Sequence, residues 1–240
     1  MNKIKIYLIT FIFSIICYGN AVAGTGAATE YKITIYKIEL CDSTSTASAC
    51  NGAVTVYDGN SGAIDIANTT AGAAAASLGN AGVAKFGTSY TYMQITMSRA
   101  YTVKGSAADS AGNTCYTIGS QTGAKGSNAK GTNASGSEAS TTLYAAMVGT
   151  SVGDNLTGLS SLTDTTGVAS TIASDDEYFQ YRQQLASTFT MVPGNIPSVE
   201  VAFGTTNAVG AIGNMTSNCN QSGAAKGLYA AEPDVTVTIK

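Results

Sequence analysis

The sequence contains no histidine and no tryptophan, and charged residues make up only 11% of its 240 residues. Without histidine, the chain has no Ser-His-Asp or Cys-His catalytic arrangement and no histidine-ligated zinc or haem site. Its 12 lysines and arginines are outnumbered by 15 acidic residues, so no basic surface for nucleic acid is expected. Proline is scarce at 3 residues, whereas there are 27 glycines. The hydrophobic fraction of 44% is too high for a disordered acidic chain.

Residues 1–23 have the pattern of a secretory signal peptide. Two lysines precede the apolar stretch Ile6–Tyr18, and Ala21-Val22-Ala23 provides a small-x-small cleavage pattern. The apolar stretch is shorter than the roughly 20 residues that a membrane-spanning helix needs. We therefore expect an exported chain, 24–240, with no membrane span after cleavage, in the periplasm, at the cell surface or outside the cell. The alternative is that this N-terminal segment is not cleaved and anchors the chain.

Four cysteines remain after this cleavage, and an even number in an exported chain indicates disulfides. Four cysteines allow three pairings. A Cys41–Cys50 bond closes a short loop between two candidate strands, and Cys115 is then left for Cys219. Because the spacings match no zinc ligand pattern, we interpret the cysteines as structural.

Alternation of apolar and polar residues predicts a predominantly β chain. In the first strand the apolar phase of Tyr31, Ile33 and Ile35 shifts near Lys37, which predicts a β-bulge. Further candidate strands are Ala53–Tyr57, Ala63–Ala67, Thr91–Val103, Thr188–Val192, Ser198–Phe203 and Asp234–Lys240. All-β domains reach this length, so we expect one antiparallel β-sandwich; two smaller lobes are the alternative.

Three segments interrupt this pattern. Residues 105–141 and 149–173 consist mostly of small residues, and we interpret them as low-complexity insertions that are mobile or ordered by a partner. The segment Glu177–Leu185 fits two structures. A capping box, Ser174 to Glu177, favours a short helical turn leading into a strand, whereas the alternation of its apolar residues favours a strand throughout.

Several strand and turn motifs follow one another in an order that resembles a known family. They are Ile33–Leu40, Ile64–Ala67, Thr91–Met97, Val192–Asn195, Val199–Val209, Gly227–Tyr229 and Pro233–Val237. The chain resembles a family of exported bacterial domains of unknown function with a prealbumin-like (carboxypeptidase-regulatory-like) β-sandwich. The resemblance implies that fold and an exported location, and it implies no catalytic residue. The middle of the chain departs from the family pattern through its Gly/Ser/Ala-rich insertions and extra cysteines.

Two groups of oxygen-bearing side chains are candidates for metal binding or catalysis. Asp58, Asn60 and Asp65 lie on a glycine-containing loop that resembles a calcium-binding loop, although Thr69 occupies the position of the EF-hand glutamate and such residues also form plain turns. Calcium is therefore the one cofactor that the sequence suggests. The acidic run 175–177 is better explained by helix capping than by a glycosidase pair, whose members come from separate elements. We expect no catalytic residue and no enzyme.

Tyrosines are the candidate binding residues. Tyr90, Tyr92 and Tyr101 cluster near one strand, and aromatic faces on a sheet can stack on sugars; packing in the core is the alternative.

The sequence as a whole favours a non-enzymatic, exported structural or adhesive subunit. Both ends of the exported chain are alternating strands, Tyr31–Leu40 and Val235–Ile239, which suits addition to the sheet edge of another copy. The alternative function is an envelope or carbohydrate-binding module.

Overall fold

The computed structural model describes residues 24–47, 49–68, 78–123, 127–145, 159–163, 169–170, 177–194, 197, 199–223 and 225–239. The predicted signal peptide, Asp175, Asp176 and most of the second predicted insertion lie outside these residues.

The described residues form β-strands that pair antiparallel, and a 3-10 turn at Ala81–Val83. The strands are β1 Gly24–Gly26, β2 Ala28–Asp42, β3 Val54–Asp58, β4 Ala63–Asp65, β5 Ser89–Ser98, β6 Ala100–Ala108, β7 Thr114–Thr117, β8 Gly131–Thr132, β9 Thr141–Tyr144, β10 Leu159–Thr163, β11 Ala169–Ser170, β12 Tyr178–Thr190, β13 Val199–Gly204, β14 Val209–Ile212, β15 Gly227–Ala230 and β16 Asp234–Ile239. Within the described ranges no helix has the length and apolar character needed to cross a bilayer.

Two long strands form the centre of the main sheet. β5 and β6 are almost continuous, interrupted at Arg99, and they run antiparallel to β2 from Tyr90 opposite Asp42 to Gly105 opposite Ala28. The register of β2 shifts between Ile35 and Lys37, where the sequence predicts a bulge. β3 and β4 also pair with β2, while β12 pairs with β5 and β9 with β6.

The interruption between β5 and β6 carries a buried cation. Arg99 is 1% exposed, and its guanidinium donates to the Ala145 carbonyl oxygen at 3.4 Å. The side chain is enclosed rather than extended to solvent, which costs free energy unless polar neighbours surround it.

A bent ribbon forms the second layer over the core. β13 pairs with β16 from Val199 opposite Ile239 onward, and the same two chain segments continue as β14 and β15 up to Ile212 opposite Gly227. Between the two halves, the Tyr31 hydroxyl donates to the Ala231 carbonyl oxygen at 2.7 Å and fastens the bend to β2. Side chains from the sheet and the ribbon share one buried cluster. The predicted all-β antiparallel sandwich is thus confirmed.

Both predicted disulfides are present. Cys41 pairs with Cys50 and closes a loop at the end of β2, and Cys115 of β7 pairs with Cys219. The second bond ties the main sheet to the loop between β14 and β15, and both of its cysteines are fully buried.

All three interrupting segments contain strands, and in the second, 149–173, these are β10 and β11. The first predicted insertion, 105–141, includes the end of β6, β7 and β8, and it buries Thr117 and Ala129. The preferred helical turn within Glu177–Leu185 is wrong, because β12 begins at Tyr178 and pairs with β5 from Tyr178 to Gln184. Pairing with β5 satisfies the backbone N–H and C=O groups of this segment. A capping box satisfies backbone N–H groups only at the start of a helix.

Candidate functional site

Two residues of the predicted calcium loop, Asp65 and Asn60, form hydrogen bonds within the chain. The Asp65 carboxylate accepts hydrogen bonds from the backbone amides of Tyr31 and Ala67 at 3.1 Å each, and Asn60 accepts one from the Gly62 amide at 2.8 Å. Burial tends to raise the pKa of Asp65, but the hydrogen bond from the Asn68 side chain, together with those from the Tyr31 and Ala67 amides, outweighs it and holds the pKa below its usual value.

Asp58 lies at the exposed end of β3, opposite Lys37. No group of three or more Cys, Asp or Glu side chains arranged to share a metal ion occurs among the residues that the structure describes. The contacts formed by Asp65 and Asn60 are those of a turn, and calcium binding stays a prediction.

The three tyrosines singled out from the sequence do not share a surface. Tyr90 is fully buried, with its hydroxyl accepting from the Lys85 amide at 3.0 Å. Tyr101 is 5% exposed, and its ring centroid lies 5.3 Å from that of Tyr31. Only Tyr92 is half-buried, on the opposite face of β5. Tyr90 and Tyr101 therefore present no ring face to a ligand in solution.

A different tyrosine pair lies on the side of the sheet that faces away from the core, which we call the outer face. Tyr36, at the bulge of β2, and Tyr178, at the start of β12, bring their ring centroids to 4.7 Å in an edge-to-face arrangement. The rings meet across β5, which lies between their strands and contributes the short side chains of Thr96 and Ser98 there. Both tyrosines are half-buried and so keep part of each ring accessible.

Polar groups surround this tyrosine pair. Lys37, Thr96 and Gln180 are half-buried on the same face. Burial, followed by the neighbouring Tyr178, raises the pKa of the Tyr36 phenol above its ordinary value. The phenol therefore remains a hydrogen-bond donor throughout the physiological pH range. The sequence pattern missed the pair because Tyr36 is the bulge residue and Tyr178 lies in the segment that was ambiguous between helix and strand.

Next along the outer face, three polar side chains form a buried row across β2, β5 and β12. Glu39 lies opposite Gln94, and Gln94 lies opposite Arg182, with exposed fractions of 7%, 6% and 8%. The Gln94 amide donates to Glu39 at 2.8 Å, and Lys37 forms a 2.6 Å ion pair with the other Glu39 oxygen. We call Glu39, Gln94 and Arg182 the polar row.

The Cys41–Cys50 loop covers one end of the polar row. Arg182 Nη1 donates to the Ala47 carbonyl oxygen at 3.5 Å, which places this loop against the outer face. Burial lowers the pKa of Arg182, and the nearby Glu39 carboxylate opposes that shift. The guanidinium is thus partly desolvated, and Glu39 is its compensating charge.

An apolar cavity lies on the other side of the sheet, under the bend of the ribbon. Its volume is about 60 Å³, and its walls include Ile33, Met97 and Phe179 of the sheet and Pro233 of the ribbon. The tyrosine hydroxyls around it are already engaged, as in the bond from Tyr31 to Ala231. Ligand pockets normally add free polar groups that fix orientation. This cavity is better explained as imperfect packing between the two layers.

The outer face therefore combines accessible aromatic rings with hydrogen-bonding side chains, whereas the core side offers mainly apolar surface. The prealbumin-like resemblance stays a prediction. Comparison of the chain with protein-family models, with curated proteins and with solved structures finds no match.

Proposed function

We propose that this protein is an exported, non-enzymatic binding domain whose ligand is a polysaccharide of the cell envelope or cell surface. The observation that carries the proposal is the tyrosine pair, Tyr36 and Tyr178, half-buried on the outer face with ring centroids 4.7 Å apart. Tyrosine suits such a surface because its ring gives apolar contact and its hydroxyl gives a hydrogen bond. The flanking ammonium, hydroxyl and amide groups can serve the many hydroxyls of a sugar chain.

Export is the second part of the proposal, and two features support it. The N-terminal pattern is that of a signal peptide. The two disulfides, Cys41–Cys50 and Cys115–Cys219, form and persist in oxidising compartments and are rare in the cytosol.

The test is a glycan-binding screen with residues 24–240 produced with both disulfides formed, followed by calorimetry on the polysaccharides retained. We expect Tyr36→Ala and Tyr178→Ala each to weaken binding about tenfold, because each loses its stacking surface. Tyr116→Ala is the matched control, since Tyr116 is an equally half-buried tyrosine on β7 outside the tyrosine pair. Absence of binding to every polysaccharide, or equal binding by all three variants, would contradict the proposal.

A structural or adhesive subunit that assembles by strand addition is the second candidate function. The observation that favours it is the ribbon half formed by β13 and β16, which in the described part of the chain pair only with each other. Each of these strands has one edge available for backbone hydrogen bonds to a further strand. The N-terminal strand is less suited to donation, because β1 already pairs with β14 and β2 lies in the centre of the sheet.

A further inference from the structure

The polar row contains two buried polar atoms without a hydrogen-bond partner, on neighbouring side chains. They are Oε1 of Gln94 and Nε of Arg182. The two residues lie opposite each other on β5 and β12, and each side chain is more than nine-tenths buried. A buried polar atom without a partner is costly, so such atoms point to a missing group.

The orientation of the Gln94 amide is fixed by its neighbour. Glu39 Oε2 lies 2.8 Å from Gln94 Nε2, and a carboxylate can only accept a hydrogen bond. Turning the amide over would place two acceptor oxygens against each other. The Gln94 oxygen must therefore face away from Glu39, and it stays an unused acceptor.

Arg182 provides the complementary group. Its Nη1 is directed to the carbonyl oxygen of Ala47 in the Cys41–Cys50 loop, while the Nε–H has no acceptor. Neighbouring side chains thus leave one acceptor and one donor unused.

A hydroxyl group satisfies both atoms at once, because its single oxygen accepts from Nε–H and its proton is donated to the amide oxygen. A carboxylate or phosphate can only accept, and it would meet the Gln94 oxygen and the Glu39 carboxylate unfavourably. An ammonium group can only donate, and the guanidinium would repel it. We propose that Gln94 and Arg182 bind one hydroxyl group of the polysaccharide ligand, an inference that rests on the proposed function.

The position of this hydroxyl site agrees with a sugar chain that stacks on the tyrosine pair. Gln94 is two residues from Thr96 on the same face of β5, which is about 7 Å along a strand. A chain lying on Tyr36 and Tyr178 reaches the polar row with a neighbouring sugar unit. The Ala47 carbonyl contacts Arg182, so the Cys41–Cys50 loop borders this site.

Arginine side-chain NMR can test the site directly, because the chain contains only two arginines, Arg99 and Arg182. The Nε–Hε signal of Arg182 in ¹⁵N-labelled 24–240 is followed while glucose, galactose, mannose or N-acetylglucosamine is added, and Arg182→Lys gives the assignment. We expect at least one sugar to shift the Arg182 and Gln94 side-chain signals, with Arg99 unchanged as the internal control.

Two results of this titration would overturn the inference. One is an Arg182 signal that no sugar moves up to about 100 mM, a concentration that saturates a millimolar site. The other is a signal that inorganic phosphate shifts and the sugars do not, because that result assigns an anion to the site.

A variant separates this inference from the proposed function. Gln94→Met keeps a side chain of similar length without the amide, and we expect it to bind the polysaccharide about tenfold more weakly. Its fold is checked by circular dichroism and by an unchanged Arg99 signal. If Gln94→Met binds as tightly as the unaltered protein while Tyr36→Ala loses binding, the hydroxyl site is wrong and the function stands. If no polysaccharide binds but free sugars shift Arg182, the hydroxyl site stands and the function is wrong.

Discussion

Asp109 shows how a carboxylate is used as a structural group in this protein. It lies in the turn between β6 and β7, where it accepts hydrogen bonds from the backbone amides of Ala111, Asn113 and Met215 at 2.8–2.9 Å. Burial tends to raise the pKa of Asp109, but the hydrogen bonds to the ionised form outweigh it and hold the pKa below its ordinary value. The side chain thereby joins the turn to the loop that carries Cys219.

We predict that Asp109→Ala lowers the free energy of unfolding by about 2–4 kcal/mol at pH 7, because three amide donors lose their acceptor. The folded-state pKa is lower than the unfolded-state pKa. The ionised carboxylate therefore stabilises the fold fully above the unfolded-state value of about 3.9, and this stabilisation disappears as the pH falls through the folded-state value. Urea unfolding at pH 7 and pH 3 measures the free energy of unfolding of the unaltered protein and of Asp109→Ala. The difference between the two values should be smaller at pH 3 than at pH 7.

The control for this prediction is Asp58→Ala. Asp58 is exposed at the end of β3, so its replacement should change stability by no more than about 0.5 kcal/mol. A difference for Asp109→Ala that is equally large at both pH values would show that ionisation of Asp109 does not contribute.

At the scale of the elements, β12 shows which information the sequence lacks. Its apolar residues Phe179, Tyr181, Leu185 and Phe189 fit a strand and are buried, but a register shift between Gln184 and Phe189 breaks the simple alternation. The capping box is a local signal for a helix, whereas the partner strand β5 is distant in sequence. Local patterns could predict the bulge of β2, but they could not show that β5 was available to pair with this segment.

The two disulfides are predicted to differ in the stability that they provide. They join cysteines 9 and 104 residues apart. Because a longer closed loop restricts the unfolded chain more, Cys115→Ala/Cys219→Ala should cost about 5 kcal/mol and Cys41→Ala/Cys50→Ala about 3 kcal/mol. Urea unfolding of the two double variants measures the losses. The reverse order would mean that contacts of the Cys41–Cys50 loop, rather than loop length, determine the loss.

At the scale of the whole molecule, composition and periodicity predict some features of the structure and miss others. They predicted an all-β chain and both disulfide pairings, since these depend on alternation and on cysteine count. They could not identify the tyrosine pair, because Tyr36 and Tyr178 are far apart in the chain and meet only when β2 and β12 flank β5. They could not separate exposed from buried tyrosines either, and Tyr90 and Tyr101 proved to be core residues.

The pairing of strands across the whole molecule determines which sheet edges remain available for assembly. β1 is held against β6 so closely that a Cβ atom on Gly26 would lie 2.1 Å from the Ser106 carbonyl oxygen. Such an approach is open only to glycine and leaves no space for another chain. We therefore expect strand addition at the ribbon rather than at the N-terminal strand, since β13 and β16 pair only with each other among the described residues.

The strand-addition proposal predicts ordered filaments or higher oligomers of residues 24–240 in negative-stain microscopy over a concentration series. It also predicts that Thr236→Lys abolishes them, because Thr236 is exposed on β16 and a charge on an edge strand opposes pairing. Thr55→Lys, at an exposed position of β3, is the matched control and should leave assembly unchanged. A persistent monomer would count against a structural role and leave polysaccharide binding at the outer face as the function to pursue. Filaments that resist Thr236→Lys would show instead that assembly uses a surface other than the ribbon edge.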